Sequence, residues 1–279
     1  MAASRTPAPV VSRCAVVLLA GLTLAGCSAR GGADGGASTA PGATAAVKKA
    51  AAQPGGRTAP VKGDTFGCLT PEQAATDSIV FTSATGSPTG GFLTGRGNTG
   101  IVLAHQSGGS VCEWKDRALQ LGKDGFRVLA VNSTTGDQAA EIEGAATVLR
   151  REGAWKLLLM GASQGGAATL QAAARMPLKP DALVALSAPS APGPPGTSGT
   201  SGPVDARAAA EALAVPVLYL AGGRDGASVT AARELSAAGT KAPENRLVTV
   251  AGSDRRGVGL LSAPDTWETV VAFLKKYCT

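Results

Sequence analysis

Ser163 stands in Gly161-Ala162-Ser163-Gln164-Gly165, directly after the apolar run Trp155–Met160 and directly before an Ala/Leu/Gln-rich segment. On a tight turn between a strand and a helix, a serine hydroxyl is held out as a nucleophile. It stays weak until a neighbouring base takes its proton. The chain has one histidine, His105, and it lies well upstream of the serine. A carboxylate suited to orient a base follows the run Leu218–Ala221, at Asp225. Further on, Gly252-Ser253-Asp254-Arg255-Arg256-Gly257 offers cations and no imidazole. The chemistry in view is nucleophilic attack by a serine whose base is missing.

Five residues alone are weak evidence, because glycine makes up 38 of 279 positions. The flanking elements carry more. Gly165, Gly166, Ala167 and Ala168 are the small residues that close packing of a helix on a sheet requires. Around them, apolar runs alternate with helix-like segments, the pattern of a mostly parallel sheet covered on both faces. Strands are expected at Ser78–Thr82 and Gly91–Thr94, a leading hairpin, and at Gly100–His105, Phe126–Val131 and Trp155–Met160. Others follow at Ala182–Ser187, Val215–Ala221 and Arg246–Val250. Helices are expected over Cys112–Gly122, Gln138–Gly153, Gly166–Arg175, Val229–Ala238 and Pro264–Tyr277. Ala188–Pro203 is almost wholly Pro, Gly, Ser, Thr and Ala, has no hydrophobic period, and does not read as a packed lid.

The first 27 residues read as an export signal. Arg5 and Arg13 precede the short apolar core Ala15–Leu22, well under the roughly 20 residues that span a bilayer. The core runs into Leu24-Ala25-Gly26-Cys27, which resembles a bacterial lipobox and implies lipidation of Cys27. Residues 28–63 then read as a flexible Gly/Ala/Pro-rich tether. Signal and tether together hold the whole formal charge of +6, leaving residues 64–279 at zero. The basic balance therefore belongs to the leader and not to a nucleic-acid-binding face. These readings predict a protein exported and lipid-anchored to the outer face of the bacterial cytoplasmic membrane.

Residues 64–279 are long enough for one α/β domain. Cys68, Cys112 and Cys278 remain in the exported part, so two can pair and one is left over. The closeness of Cys278 to the terminus favours Cys68–Cys112, though sequence does not decide the pairing. No Cys/His spacing points to a metal or cofactor.

Over nearly all of residues 64–279 the chain resembles the α/β-hydrolase family, in particular its small, lidless, exported esterase and dienelactone-hydrolase-like members. The resemblance rests on Gly161–Gly165 in its strand–turn–helix setting, on His105-Gln106-Ser107-Gly108-Gly109 after an early strand, and on Asp225 after a late one. It implies a mostly parallel sheet with helices on both faces and no cap domain. It further implies Ser163 as nucleophile, Asp225 as orienting acid, and the backbone N–H groups of Gln164 and Ser107 as oxyanion donors. His105 is then a structural residue of the oxyanion loop.

The departure lies at Arg256, where the family has its histidine. Guanidinium has no lone pair with which to take the Ser163 proton, but it can pair with Asp225. Two functions follow. One is ester or acyl-bond hydrolysis by a serine lacking its base. The other is a catalytically inactive member of the fold, binding an anionic small molecule or an envelope partner. A monomer is expected in either case.

Overall fold

The computed structural model describes residues 59–134, 136–191 and 205–278. The signal, Cys27 and most of the tether lie outside the described residues, as does most of the Ala188–Pro203 stretch.

Eight strands form one sheet: Ser78–Thr82 (β1), Pro88–Thr94 (β2), Thr99–Ala104 (β3), Phe126–Asn132 (β4), Lys156–Ala162 (β5), Ala182–Leu186 (β6), Val217–Gly222 (β7) and Asn245–Val250 (β8). Their spatial order is β1-β2-β4-β3-β5-β6-β7-β8. The leading hairpin joins antiparallel, β1 to β2 and β2 to β4, and every later pairing is parallel. Parallel neighbours need crossovers, and Lys115–Lys123 (α2), Gln138–Arg151 (α3), Gln164–Arg175 (α4), Ala206–Ala212 (α5) and Gly226–Ala238 (α6) supply them, while Pro71–Asp77 (α1) precedes the first strand and Pro264–Lys276 (α7) follows the last.

The central strands β3, β5, β6 and β7 are buried almost throughout because both of their faces are covered. Along β5, Leu157 and Leu159 join one core and Leu158 and Met160 the other, the two-residue period of a strand. The first core is closed by α3 to α6, through Ile142, Leu149, Leu170, Ala210 and Leu235. The second is closed by α1, α2 and α7, through Ala74, Leu121, Trp267, Val270 and Phe273. Each Leu or Ile so buried contributes on the order of 2 kcal/mol.

Some elements differ from expectation. The helix expected over Cys112–Gly122 is broken: Ser110 accepts the Cys112 N–H and opens a single 3-10 turn, Val111–Glu113, before α2 starts at Lys115. α4 begins at Gln164, immediately after the serine, rather than at Gly166. α1 and α5 are additional. α1 is opened by a capping box, Thr70 and Gln73 each bonding the other's backbone N–H. A second 3-10 stretch, Gly257–Ser262, follows β8.

Cys68 and Cys112 are joined in a disulfide, and Cys278 is free. The bond ties the segment ahead of α1 to the 3-10 turn behind residues 105–109.

Candidate active site

Ser163 sits at the carboxyl end of β5 with φ 48° and ψ −117°, a conformation that a non-glycine residue adopts at a cost of about 1–3 kcal/mol. Two interactions hold it there. Its N–H donates to the Leu186 carbonyl at 2.7 Å, and its own carbonyl accepts from Ala167 N–H at 3.1 Å inside α4. The turn also needs a bare backbone two residues on. A Cβ at Gly165 would lie 2.5 Å from the carbonyl oxygens of both Ala104 and His105. The first turn of α4 is thereby pressed against the end of β3.

That contact brings the 105–109 loop beside the serine turn. His105 is buried and both its ring nitrogens are engaged. Nε2 accepts the Ser133 N–H at 3.0 Å, which leaves Nδ1 to carry the proton and donate to the Gln106 carbonyl at 2.8 Å. Gln138 Nε2 donates to the His105 carbonyl at 2.9 Å. Burial pushes the imidazole below its ordinary pKa, against the Gln106 hydrogen bond and the Glu141 charge, which favour the cation. With no lone pair to spare, His105 joins the strand end to the loop and has no capacity to deprotonate Ser163. Ser107 is exposed at the loop's tip. The N–H of Gln164 is one of the unpaired donors at the start of α4, where the helix dipole is positive.

Asp225 closes the turn between β7 and α6. Its carboxylate caps α6, accepting the Ser228 N–H at 3.4 Å and also the Ser228 hydroxyl. Arg256 meets the same carboxylate edge-on: Nε lies 2.5 Å from Oδ2 and Nη2 2.6 Å from Oδ1. Burial opposes ionisation of Asp225, but the Ser228 hydroxyl, the Arg256 guanidinium and the Ser228 N–H outweigh it and hold the carboxyl below the usual aspartate range. The pair is lopsided. The Asp225 side chain is 3% exposed and that of Arg256 65%.

Gly257 brings Arg256 to the serine. Its φ is +50°, and a Cβ there would lie 2.4 Å from Gln106 Oε1 and 3.3 Å from Ala162 Cβ. Its N–H donates to Ser187 Oγ at 3.1 Å. Ser187, at the end of β6, is buried and itself has φ 49°. Two adjacent strands thus end in strained serines, and sequence reasoning singled out only the first. The Ser228 contact is not among the sequence expectations, although a serine three residues after an aspartate is a readable helix-start signal. Ser187 had no local signal, because its backbone is set by Leu220, whose carbonyl takes its N–H, and by Gly257.

A cleft of about 300 Å³ opens over these groups, walled by Ser163, Ser187, Ala188, Ser190, Ser228 and Arg256 among others. Ser163 and Arg256 therefore face one space, with Asp225 bonded behind Arg256. Gln164 and Ser107 are not part of the cleft wall. Among the described residues, no cluster of three or more His, Cys, Asp or Glu is placed to hold a metal ion.

Solved structures resemble the molecule closely in topology and distantly in sequence. An esterase of Pyrococcus furiosus superposes with a TM-score of 0.60 at 16% identity, over 72% of this chain and 90% of that one. An esterase of a Rhodococcus species gives 0.58 at 18% identity, over 72% and all of that chain. The chain has the α/β-hydrolase fold. A putative dienelactone hydrolase of Klebsiella pneumoniae gives a TM-score of 0.55 at 22% identity, over 72% of this chain and 99% of its own. No family model and no curated protein matches the sequence. Within the α/β-hydrolase fold, the strained serine, the loop at His105 and the late-strand aspartate occupy the ends of β5, β3 and β7. Arg256 follows β8.

Proposed function

We propose that this protein is a cell-envelope serine hydrolase in reduced form, an ester- or acyl-bond-cleaving site that keeps its nucleophile and backbone donors and has lost its general base. The Arg256–Asp225 fork carries this reading. The carboxylate that would orient an imidazole is instead filled by a guanidinium that stays protonated. Ser163 then attacks only acyl groups with a good leaving group. Its proton goes to water, and on this reading the developing oxyanion falls to the N–H groups of Gln164, at the start of α4, and of Ser107, in the adjoining loop, neither of which the cleft wall includes. In serine proteases, losing the histidine lowers kcat by about six orders of magnitude, and about 10³–10⁴ over water survives from the oxyanion hole and binding. The strained φ of Ser163 supports retention of this much.

A second reading is favoured by what the fork leaves over. Nε and Nη2 are spent on Asp225, while Nη1 keeps two donors at the cleft that Ser163 also lines. Such donors suit a small carboxylate, held without turnover. Anchoring through Cys27 completes both readings and rests on the lipobox.

Treatment with an organophosphonate serine probe, followed by peptide mapping, tests the first. Slow labelling of Ser163 that is absent in Ser163→Ala is the expected result. Equal labelling of the two would remove Ser163 as nucleophile. A rise in melting temperature with millimolar dicarboxylates, lost in Arg256→Leu, is the result that supports binding. No shift with any of them removes that second reading.

A further inference from the structure

The end of the molecule opposite the cleft carries an apolar pair in a basic field. Trp155, just ahead of β5, is 68% exposed, and Leu178, just ahead of β6, is 64% exposed. Of the three tryptophans Trp155 alone is open: Trp114 is fully buried and Trp267 is 6% exposed. The two are brought to one edge by the β5–β6 pairing. Asp181 accepts the Leu157 N–H at 2.8 Å, and Leu157 returns its carbonyl to the Asp181 N–H at 2.7 Å. Arg150 reaches across to the Lys179 carbonyl at 3.5 Å.

Charge is concentrated at the same end. Residues 95–99, 123–127, 150–156 and 178–182, which lead into the four central strands, hold seven Lys or Arg and three carboxylates. All three carboxylates are taken up in ion pairs: Glu152 with Arg127, Asp181 with Lys156, and Asp124 with Lys275. Residues 64–279 as a whole are neutral, so this end is positive at the expense of the rest.

We propose that this end is a docking surface for an anionic lipid bilayer, with Trp155 and Leu178 at the headgroup boundary and the surrounding cations on the lipid phosphates. Tryptophan settles at that boundary because its ring is amphipathic. Each nearby Lys or Arg adds about 1 kcal/mol of attraction to an anionic leaflet. The proposal rests on the envelope-anchor reading and adds an orientation to it. Eight residues at about 3.3 Å each separate Trp155 from Ser163, so the cleft stands roughly 25 Å above the lipid and opens away from it.

The test uses the full chain on vesicles of phosphatidylcholine with 30% phosphatidylglycerol, made with and without bromine on the acyl chains near the headgroup. Brominated lipid quenches tryptophan by contact, and only Trp155 is open to it. Quenching in the wild-type chain, absent in Trp155→Phe and at least halved in Arg151→Glu/Lys179→Glu, is expected. Capture by vesicles without quenching would overturn the docking surface while sparing the anchor, and no capture at all would overturn both. Quenching indifferent to the charge reversals would overturn the electrostatic basis. Lipid-free dimers that dissociate in Trp155→Ala would assign the patch to a second copy of the chain instead.

Discussion

Arg256 and Asp225 form a two-pronged ion pair, Nε to Oδ2 at 2.5 Å and Nη2 to Oδ1 at 2.6 Å, with the carboxylate buried and the guanidinium mostly in solvent. Both prongs are the short, charge-assisted kind in which planar partners match edge to edge. The arrangement fills the place behind the serine cleft that proton transfer would need. It also secures the β8 loop to the start of α6. On the proposed reading, the catalytic defect and a structural bond are the same contact.

The lopsided burial predicts lopsided costs. Arg256→Ala leaves a buried carboxylate with Ser228 as its remaining partner, whereas Asp225→Asn leaves an exposed cation that water solvates and retains an oxygen to cap α6. Breaking a fully buried pair costs about 3–5 kcal/mol. With Arg256 two-thirds exposed, we expect about 1–2 kcal/mol for Arg256→Ala at pH 7 and less for Asp225→Asn, which keeps an α6 cap. Urea unfolding of both variants checks the order. Because the folded pKa of Asp225 is depressed, its stabilisation is complete above the unfolded value near 4 and is lost as pH falls through the lower folded value. Asp225→Asn should flatten the acid limb of Tm against pH in that window.

Arg256→His should convert the site. An imidazole in place of the guanidinium supplies an acceptor for the Ser163 proton, and Asp225 is already present to orient it. We expect hydrolysis of a p-nitrophenyl ester to rise at least about a hundredfold over the parent, with the gain lost on the acid side as the new imidazole protonates. The gain should vanish in Ser163→Ala/Arg256→His. A folded Arg256→His variant without gain would mean that the histidine position of the fold lies elsewhere in this chain.

Much of this was legible in the residues. All eight strands can be placed from the sequence, most plainly β3, β5, β6 and β7, whose buried parallel stretches announce themselves as runs of Val, Leu, Ile and Ala. The serine turn and Asp225 were visible because each joins a strand end to Gly-rich chain. What escaped was local in one case and non-local in others. The α1 capping box of Thr70 and Gln73 is written in nearby residues, but the seven-residue helix buries a single side chain, Ala74, and so has no apolar period to announce it. The left-handed backbone of Ser187 has no such signature; it exists only once Leu220 and Gly257 are packed beside it. The same holds for the saturation of His105, which depends on Ser133 from another strand's end.

His105 is the chain's only histidine, which makes its titration separable. Its folded pKa is lowered by burial, so between that value and 6.5 the unfolded chain binds the extra proton. Stability is therefore fully present above about pH 6.5 and declines as pH falls below it. Glu113 and Glu143, both raised by burial, act in the opposite direction and remain in a His105 variant. The difference in unfolding free energy between wild type and His105→Gln, followed from pH 5 to 8, should shrink toward acid pH. At pH 8, losing both ring hydrogen bonds should cost about 2–3 kcal/mol. A pH-independent difference would mean that His105 titrates normally and is not held as described.

The disulfide should matter for the loop that flanks the serine. Cys68 and Cys112 are 44 residues apart, and closing a loop of that length removes unfolded-state entropy worth about 4 kcal/mol, with 2–4 typical of measured cases. For a domain of this size each kcal/mol moves Tm by roughly 2–4 °C, so reduction should lower Tm by about 4–16 °C. Cys112 lies in the 3-10 turn whose next residue, Glu113, reaches back to the 105–109 loop; a Cβ at Gly109 would meet Glu113 Oε1. Reduction should therefore also slow phosphonate labelling of Ser163, by loosening the loop that carries Ser107. Melting and labelling with and without dithiothreitol measure both effects. Cys68→Ser/Cys112→Ser should match the reduced protein and ignore the reductant, while Cys278→Ser should behave as wild type. A reductant-insensitive Tm in the wild-type chain would mean that the bond contributes nothing to the folded state, and the link from disulfide to serine site would fall with it.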